Sequence, residues 1–453
     1  MFKRKIEEKL GRWLASLPIK RKALMLRGAR QVGKTTVIDA FLKKHFEEIV
    51  TINFKFEKEK KKLFAGDVDA ETLLERLRAA YPSASFDPRK MAFFFDEIQD
   101  CNGARAALKP LMEKTDFVIA CSGSLLGIAA YNDEGSKEVS VGFEYDLTMH
   151  SMDFEEFLWA KGERKEAIDA IRLSFAQKKS LDPYLHAHFS EAFREYLCLG
   201  GMPEVIDAYL KTKDLRLAHE SKSSILANYR DDFAKHLDEN GREVIKNSLL
   251  AKINRVYDSL PGQLASERRR FVLSHLGSNA SKESYFDAIE WLLGAGIVKR
   301  CQNLSAIQQP LIAYPREGYF KLYFQDVGLL LGALPFYVTS ALYNGTDEIG
   351  IYKGAIYENF VADTLNKNDL NLFYYRKDTG LEIDFVSEIR GKVVLIEVRS
   401  TNGDTKAAKT VLEDANNPAK RCIKITSSNL GDDGVYLTIP HYMAFLLDEE
   451  AQV

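Results

Sequence analysis

Apolar positions along the chain change rhythm several times. Ile6, Leu10, Trp13 and Leu14 recur at helical spacing, and a continuous apolar run at 23–26 follows, ending in a glycine-rich turn. That order predicts a helix, a buried strand and a loop. Val37, Ile38, Phe41 and Leu42 then mark one face of a helix opening at Thr35, and 49–52 reads as a second strand. The runs 91–95 and 117–120 are apolar throughout, as strands covered on both faces are. Strands alternating with helices predict a parallel α/β domain over 1–160, with ligands held outside the carboxyl ends of its strands.

From about 154 to 236 the spacing is almost wholly helical, broken at Gly200-Gly-Met-Pro203, so 161–240 reads as a helical lid or linker. Residues 241–340 give short helices and then β-like runs at 297–300, 311–314 and 319–324, which predicts a winged-helix-like module. The last block, 341–453, opens with a helix at 355–365 and continues through strand-like 372–375, 382–386 and 393–398, a second α/β or α+β domain. The longest apolar stretch, 328–338, is framed by Asp326 and interrupted by Pro335. It falls short of the roughly 18 residues a bilayer span needs, so no membrane segment is expected. The amino terminus intersperses charges with apolar positions, and no export signal is expected either.

Composition narrows the class. Of 453 residues 46% are hydrophobic and 28% charged, which excludes disordered and fibrous chains, and a net charge of −2 excludes a globally basic nucleic-acid coat. The charge is nevertheless uneven, because 240–300 carries ten basic against six acidic residues. Cys101, Cys121, Cys198, Cys301 and Cys422 are scattered without a CxxC pair, pointing to a reducing cytoplasm. The spacing of His186 and His188 puts them on different faces of a helix, a poor metal pair, and the charge run Lys58 to Lys62 reads as solvated surface.

Residues Gly28, Ala29, Arg30, Gln31, Val32, Gly33, Lys34 and Thr35, followed by Thr36, satisfy G-x-x-x-x-G-K-[ST] between a predicted strand and a predicted helix. In such a loop successive backbone N–H groups curl around phosphates at the positive end of the helix. Lys34 would meet the β- and γ-phosphates of ATP, and the Thr35 hydroxyl would ligate Mg²⁺. The run 93–95 then delivers Asp96 to the magnesium shell and Glu97 to a water aimed at the γ-phosphate. Ser122 could touch the γ-phosphate, as could Ser124, and capping of a following helix is an equal alternative for both. Arg27, Arg30 and Arg105 lie near in sequence, with no motif to choose among them or to exclude an arginine from another subunit.

With these residues in hand, GARQVGKTT at 28–36, FFFDEIQ at 93–99, SGSLLG at 122–127 and MDFEEFL at 152–158 resemble the AAA-type ATPases of bacteria and archaea that carry a C-terminal domain of unknown function. GGMPEVIDAYL at 200–210, AIEWLLGAGIV at 288–298, FKLYFQDVGLLLGAL at 320–334 and EIDFV at 382–386 extend the resemblance through nearly the whole chain. It implies ATP binding and hydrolysis. Many relatives have a Gly-Arg pair shortly before the FEEFL element, where this chain reads Val141-Gly-Phe-Glu144, so a family arginine contact stays unassigned.

Farther on, Glu358 on a helix, Asp384 on a strand and Glu397-Val-Arg399 on the next strand resemble the PD-(D/E)xK nuclease layout. In that chemistry Asp384 and Glu397 would hold a second Mg²⁺ and a lysine two residues on would serve the attacking water. Alternation puts residues 397 and 399 on one strand face. Arg399 stands at the lysine position, and a guanidinium stays charged and cannot act as a base. An active nuclease, a degenerate fold that binds nucleic acid or protein, and a different fold altogether all stay open, with charges on a solvent-facing strand edge as the plain alternative for Asp384 and Glu397. Arg268-Arg-Arg270 is the expected phosphate contact if 241–340 meets double-stranded DNA, with a solvated run as the alternative. The helix over 282–293 is the candidate for groove entry, although Tyr285, Ile289, Trp291 and Leu292 read as packing positions.

The leading expectation is a Mg-dependent ATPase coupling nucleotide state to a C-terminal region that meets DNA or a protein, with self-association left open. A slow nucleotide-dependent switch that recruits a partner, and an ATP-regulated metal-dependent nuclease, are the alternatives.

Overall fold

Five strands of the N-terminal part line up side by side. In the computed structural model, which describes residues 1–66, 69–125, 142–233, 247–266, 270–278, 280–400 and 406–453, these are β1 (Ala23–Gly28), β2 (Glu48–Asn53), β3 (Met91–Asp96), β4 (Val118–Ser124) and β5 (Glu144–Met149). They pair in the order β2-β3-β4-β1-β5, every neighbouring pair parallel. β3 is buried at every position because helices cover both faces of the sheet. Val50, Ile52, Phe93, Phe95 and Ile119 pack with Leu73, Leu77 and Leu111 from two of those helices on one side. The expected stripe Val37, Ile38, Phe41 and Leu42 is the buried face of the helix Lys34–His45. β5 is an additional parallel strand that the apolar pattern did not mark, because only Met149 of it is fully buried.

The chain divides into two compact units, one holding Met1–His150 with Gly294–Gly296, the other Ser151–Lys235, Ile245–Leu293 and Ile297–Val453. The second unit begins helically, with Phe154–Lys161, Lys165–Gln177, Pro183–Leu199, Pro203–Thr212 and Leu215–Phe233. Asp153 and Glu156 form a reciprocal capping box at the first of these, which is why the FEEFL element starts where it does. The helix Lys282–Gly294 buries Tyr285, Ile289, Trp291 and Leu292, the packing role their spacing indicated.

A single mixed sheet follows, built from β6 (Val298–Leu304), β7 (Pro315–Phe324), β8 (Phe373–Arg376), β9 (Glu382–Ile389), β10 (Lys392–Val398), β11 (Arg421–Thr426), β12 (Gly431–Asp432) and β13 (Tyr436–Pro440). Its order is β12-β13-β11-β10-β9-β8-β6-β7. β6 and β7 form the antiparallel ribbon expected after the helices. The strand expected at 311–314 is instead a 3₁₀ turn, Leu311–Ala313, with Leu311 turned inward, and β7 starts at Pro315. The ribbon is no free wing, because β6 also pairs in parallel with β8, Gln302 opposite Phe373. Within the rest, the helix Tyr352–Lys367 precedes the antiparallel meander β8-β9-β10, and the helix Lys406–Leu412 leads to β11, parallel to β10.

Gly200-Gly-Met-Pro203 owes its glycines to close approach around Asp326. The wholly buried Asp326 carboxylate accepts from Ser151 Oγ at 2.6 Å and from the backbone N–H groups of Gly201 at 2.8 Å and Gly328 at 2.9 Å. A Cβ on Gly201 would stand 1.9 Å from the Met152 carbonyl oxygen. Gly201→Ala is therefore expected to lower stability by about 2–3 kcal/mol, the range of an overpacked core, measured as a fall in the urea midpoint.

Candidate functional site

β1 runs into the loop 28–33, and Gly33, with φ at 96°, makes the left-handed turn that starts the helix Lys34–His45. Its N-cap residue Gly33 has no side chain with which to cap the helix, whose N-terminal N–H groups are the kind that favour an anion. Lys34, nearly buried, donates from Nζ to the carbonyls of Gly28 at 3.0 Å and Ala29 at 2.8 Å. The loop is braced from behind by Arg4, whose guanidinium donates to Val32 O at 2.9 Å and His150 O at 2.7 Å.

Asp96, at the end of β3, is the meeting point. Thr35 Oγ1 donates to its two oxygens at 3.0 and 3.2 Å, Asn53 Nδ2 donates to Oδ2 at 2.8 Å, and Ser122 Oγ donates to Oδ1. Asn53 and Asp96 end their strands, Ser122 lies near the end of β4 and Thr35 in the first turn of the helix after β1, the side of the sheet where the parallel topology puts ligands. Ser122 also accepts from the Glu97 N–H at 3.4 Å, while Ser124 Oγ, wholly buried, has no hydrogen-bond partner among the described residues. Glu97 is held with φ at 53°, a left-handed conformation that a non-glycine residue rarely adopts and that concentrates at functional positions. Its carboxylate accepts from Gln99 Nε2.

Lys34, Thr35, Asp96 and Ser122 are thus gathered with Glu97 beside them. Arg30 acts electrostatically on both Lys34 and Asp100. Arg27 and Arg105 are instead tied to Glu144, at 2.8 Å each, and Arg27 to Asp146 as well. Leu126, Gly127 and Val141 lie outside the described residues. Asn53 and Gln99 escaped the sequence reading. Asn53 could have been found from its place at the end of a strand, and Gln99 from its place inside FFFDEIQ. A carboxylate and a hydroxyl side by side, next to an ammonium and a helix N-terminus, are a donor set for a magnesium-bound polyphosphate.

In the second unit the carboxylates also converge. Asp384 and Glu397 lie on the central strands β9 and β10 and are almost wholly buried, which corrects their reading as charges on an exposed edge. Arg399 bridges them, Nη1 to Asp384 Oδ2 at 2.9 Å and Nη2 to Glu397 Oε2. Glu358, from the helix Tyr352–Lys367, accepts from Tyr323 Oη and pairs with Lys321 Nζ at 2.6 Å. Lys321 also lies 2.8 Å from Glu382 Oε1. Burial pushes the Asp384 and Glu397 carboxyls up, and the surrounding carboxylates outweigh burial to hold Lys321 above its ordinary value. Lys321 and Tyr323 carried no motif signal beyond the FKLYF run that contains them. His186 and His188 take separate partners, Tyr442 Oη and Glu163 Oε1, each at 2.9 Å. Arg270 and Arg316 lie over the Tyr319 ring at 5.1 and 4.0 Å, whereas Arg268 and Arg269 lie outside the described residues.

Residues 20–158 match the family model of an AAA domain, which supports an AAA-type P-loop ATPase in that span. Residues 190–337 and 353–442 match two domains of unknown function, DUF8612 and DUF4143. No curated protein matches the sequence. Among solved structures the chain is similar to the Walker-type ATPase paby2304 of Pyrococcus abyssi, at 14% identity over 74% of this chain and 95% of that one, with a TM-score of 0.42. The Thermotoga maritima RuvB Holliday junction branch migration motor is similar at 14% identity, over 66% and 90% of the two chains, with a TM-score of 0.28. The Pif1 helicase of Candida albicans is similar at 10% identity, over 42% and 47%, with a TM-score of 0.25. No described helix is long and apolar enough to cross a membrane.

Burial lowers Lys34 from 10.5 to about 8, against the pull of Glu97 and Asp96. The folded protein thus holds this proton less tightly than the unfolded chain. The cost of the buried charge is complete below pH 8, shrinks as pH rises, and is gone above 10.5. The stability of nucleotide-free wild type relative to Lys34→Met is expected to rise by up to about 3 kcal/mol across that interval, read from urea midpoints. A difference flat in pH would contradict a buried, titrating Lys34.

Proposed function

We propose that residues 1–160 bind Mg-ATP in the loop Gly28 to Thr36 and hydrolyse it, and that nucleotide state governs what the rest of the chain holds. The observation that carries this reading is the hydrogen bond from Thr35 to Asp96, which brings together two segments 61 residues apart, with Lys34 next to Thr35 in the chain. In this reading Lys34 meets the β- and γ-phosphates, and Thr35 and Asp96 hold the ion directly or through its water. Bound magnesium supplies charge neutralisation at the phosphates. Glu97 orients the attacking water, and Ser122 and Asn53 fix the carboxylate that carries the ion. The backbone strain at Glu97 supports a functional rather than structural use of that residue.

The remaining chain reads as a helical lid at 161–240, a winged-helix-like module at 241–340 and a PD-(D/E)xK nuclease-like domain at 341–453. The helix, three-stranded meander, helix and parallel strand between Tyr352 and Thr426 support the last of these. The basic excess of 240–300 and the arginines stacked on Tyr319 favour double-stranded DNA over a protein as the occupant. Five buried cysteines without a CxxC pair fit a cytoplasmic protein.

ATP turnover tests the core of the proposal. Lys34→Ala is expected to lose on the order of a hundredfold or more in turnover, with nucleotide binding weakened. Glu97→Gln is expected to lose a similar factor while still binding ATP, so that nucleotide accumulates unhydrolysed on the protein. Turnover unchanged in Glu97→Gln would remove its hydrolytic role and favour a nucleotide switch. Double-stranded DNA is expected to raise wild-type turnover in a salt-dependent way, and indifference to DNA would turn the reading toward a protein partner.

A further inference from the structure

In a divalent-metal nuclease site, carboxylates like Glu358, Asp384 and Glu397 would share one hydrated cation, each offering a lone pair. Here one oxygen of Asp384 and one of Glu397 are already committed, whereas Glu397 Oε1, buried, has no hydrogen-bond partner among the described residues. Arg399 spans Asp384 Oδ2 at 2.9 Å and Glu397 Oε2, its planar fork reaching both strands at once. The same Asp384 oxygen accepts the Val398 N–H at 2.8 Å, so it has no simple lone pair left to give. Lys321, with no exposure at all, pairs with Glu358 at 2.6 Å and Glu382 at 2.8 Å, and Glu382 takes Arg376 as well at 2.6 Å. Among the described residues no group of three or more His, Cys, Asp or Glu side chains is arranged to hold a metal ion.

We propose that Arg399 and Lys321 are internal counter-ions standing where a divalent cation would, and that residues 352–440 form a metal-free module that does not cut. This rests on the nuclease-like reading of that segment and departs from the second Mg²⁺ site at Asp384 and Glu397. A guanidinium cannot shed its proton to make way for a metal, and a divalent ion entering beside it would meet a fixed positive charge at close range in a buried setting. The cations are retained because deleting one would leave carboxylates buried without a partner. Such a module keeps the fold of a phosphodiester-cutting domain and none of its means of activating water.

Mn²⁺ uptake by the nucleotide-free full chain, followed through the free-ion electron paramagnetic resonance signal, tests this. Wild type is expected to take up no Mn²⁺ that Asp384→Asn removes. Arg399→Ala is expected to gain at least about tenfold in Mn²⁺ affinity, the direction set by removing a like charge from beside the ion, and the gain is expected to vanish in Arg399→Ala with Asp384→Asn. Wild-type uptake abolished by Asp384→Asn would overturn the counter-ion assignment and leave the nuclease-like reading standing. A folded Arg399→Ala that takes up nothing would overturn that reading itself. Should Arg399→Ala not fold, wild type decides the question through its melting temperature, in which Mn²⁺ is expected to cause the same shift with and without Glu397→Gln. A rise with Mn²⁺ that Glu397→Gln removes would overturn the proposal.

Discussion

A carboxylate withdrawn from water has to be met by donors, and this chain meets that requirement three times with segments far apart in sequence. Asp96 collects Thr35, Asn53 and Ser122. Asp326 collects Ser151, Gly201 and Gly328. Glu358, Asp384 and Glu397 collect Lys321, Tyr323, Val398 and Arg399. In each case the acid stands at the end or in the middle of a buried element, and the elements around it are fixed by the need to bring a donor within hydrogen-bond range. The two glycines at 200 and 201 belong to the same logic, since backbone N–H groups can reach a buried carboxylate only where no side chain holds them off.

The first and third clusters answer the requirement with different chemistry. At Asp96 the donors are neutral hydroxyls and an amide, which leaves the negative charge in place and able to hold a cation. At Asp384 and Glu397 the shared donor is a guanidinium, which offsets part of their charge. The contrast separates a carboxylate met by neutral donors from a pair held by a fixed cation, although all of them lie in sheets and all are nearly buried.

Legibility in the sequence followed the range of the interactions. The phosphate loop, β3 and the helix after Gly33 are local patterns, so spacing alone placed them. β5 was missed because its burial alternates and its edge position leaves half its side chains wet. Asn53 and Lys321 were missed because their partners Asp96 and Glu358 lie 43 and 37 residues away, and for Asn53 the one local sign is its place at the end of a strand. Arg399 was seen, but its effect was not, since the pairing depends on strand geometry that brings residues 384, 397 and 399 to one place. The 3₁₀ turn at 311–313 competed with a strand of equally apolar residues, and only the packing of Leu311 decides between them.

The parallel pairing of β6 with β8 makes the ribbon after the helices and the carboxylate-bearing strands one fabric. A cut at residue 340, the point where composition invites a boundary, would strip the backbone hydrogen bonds from two interior strands at once. Each fragment would then present a naked sheet margin, with β8 offering its unpaired edge to any other chain it met. The stretch from Val298 to Pro440 must therefore be expressed as a single piece for the sheet to keep its full strand order.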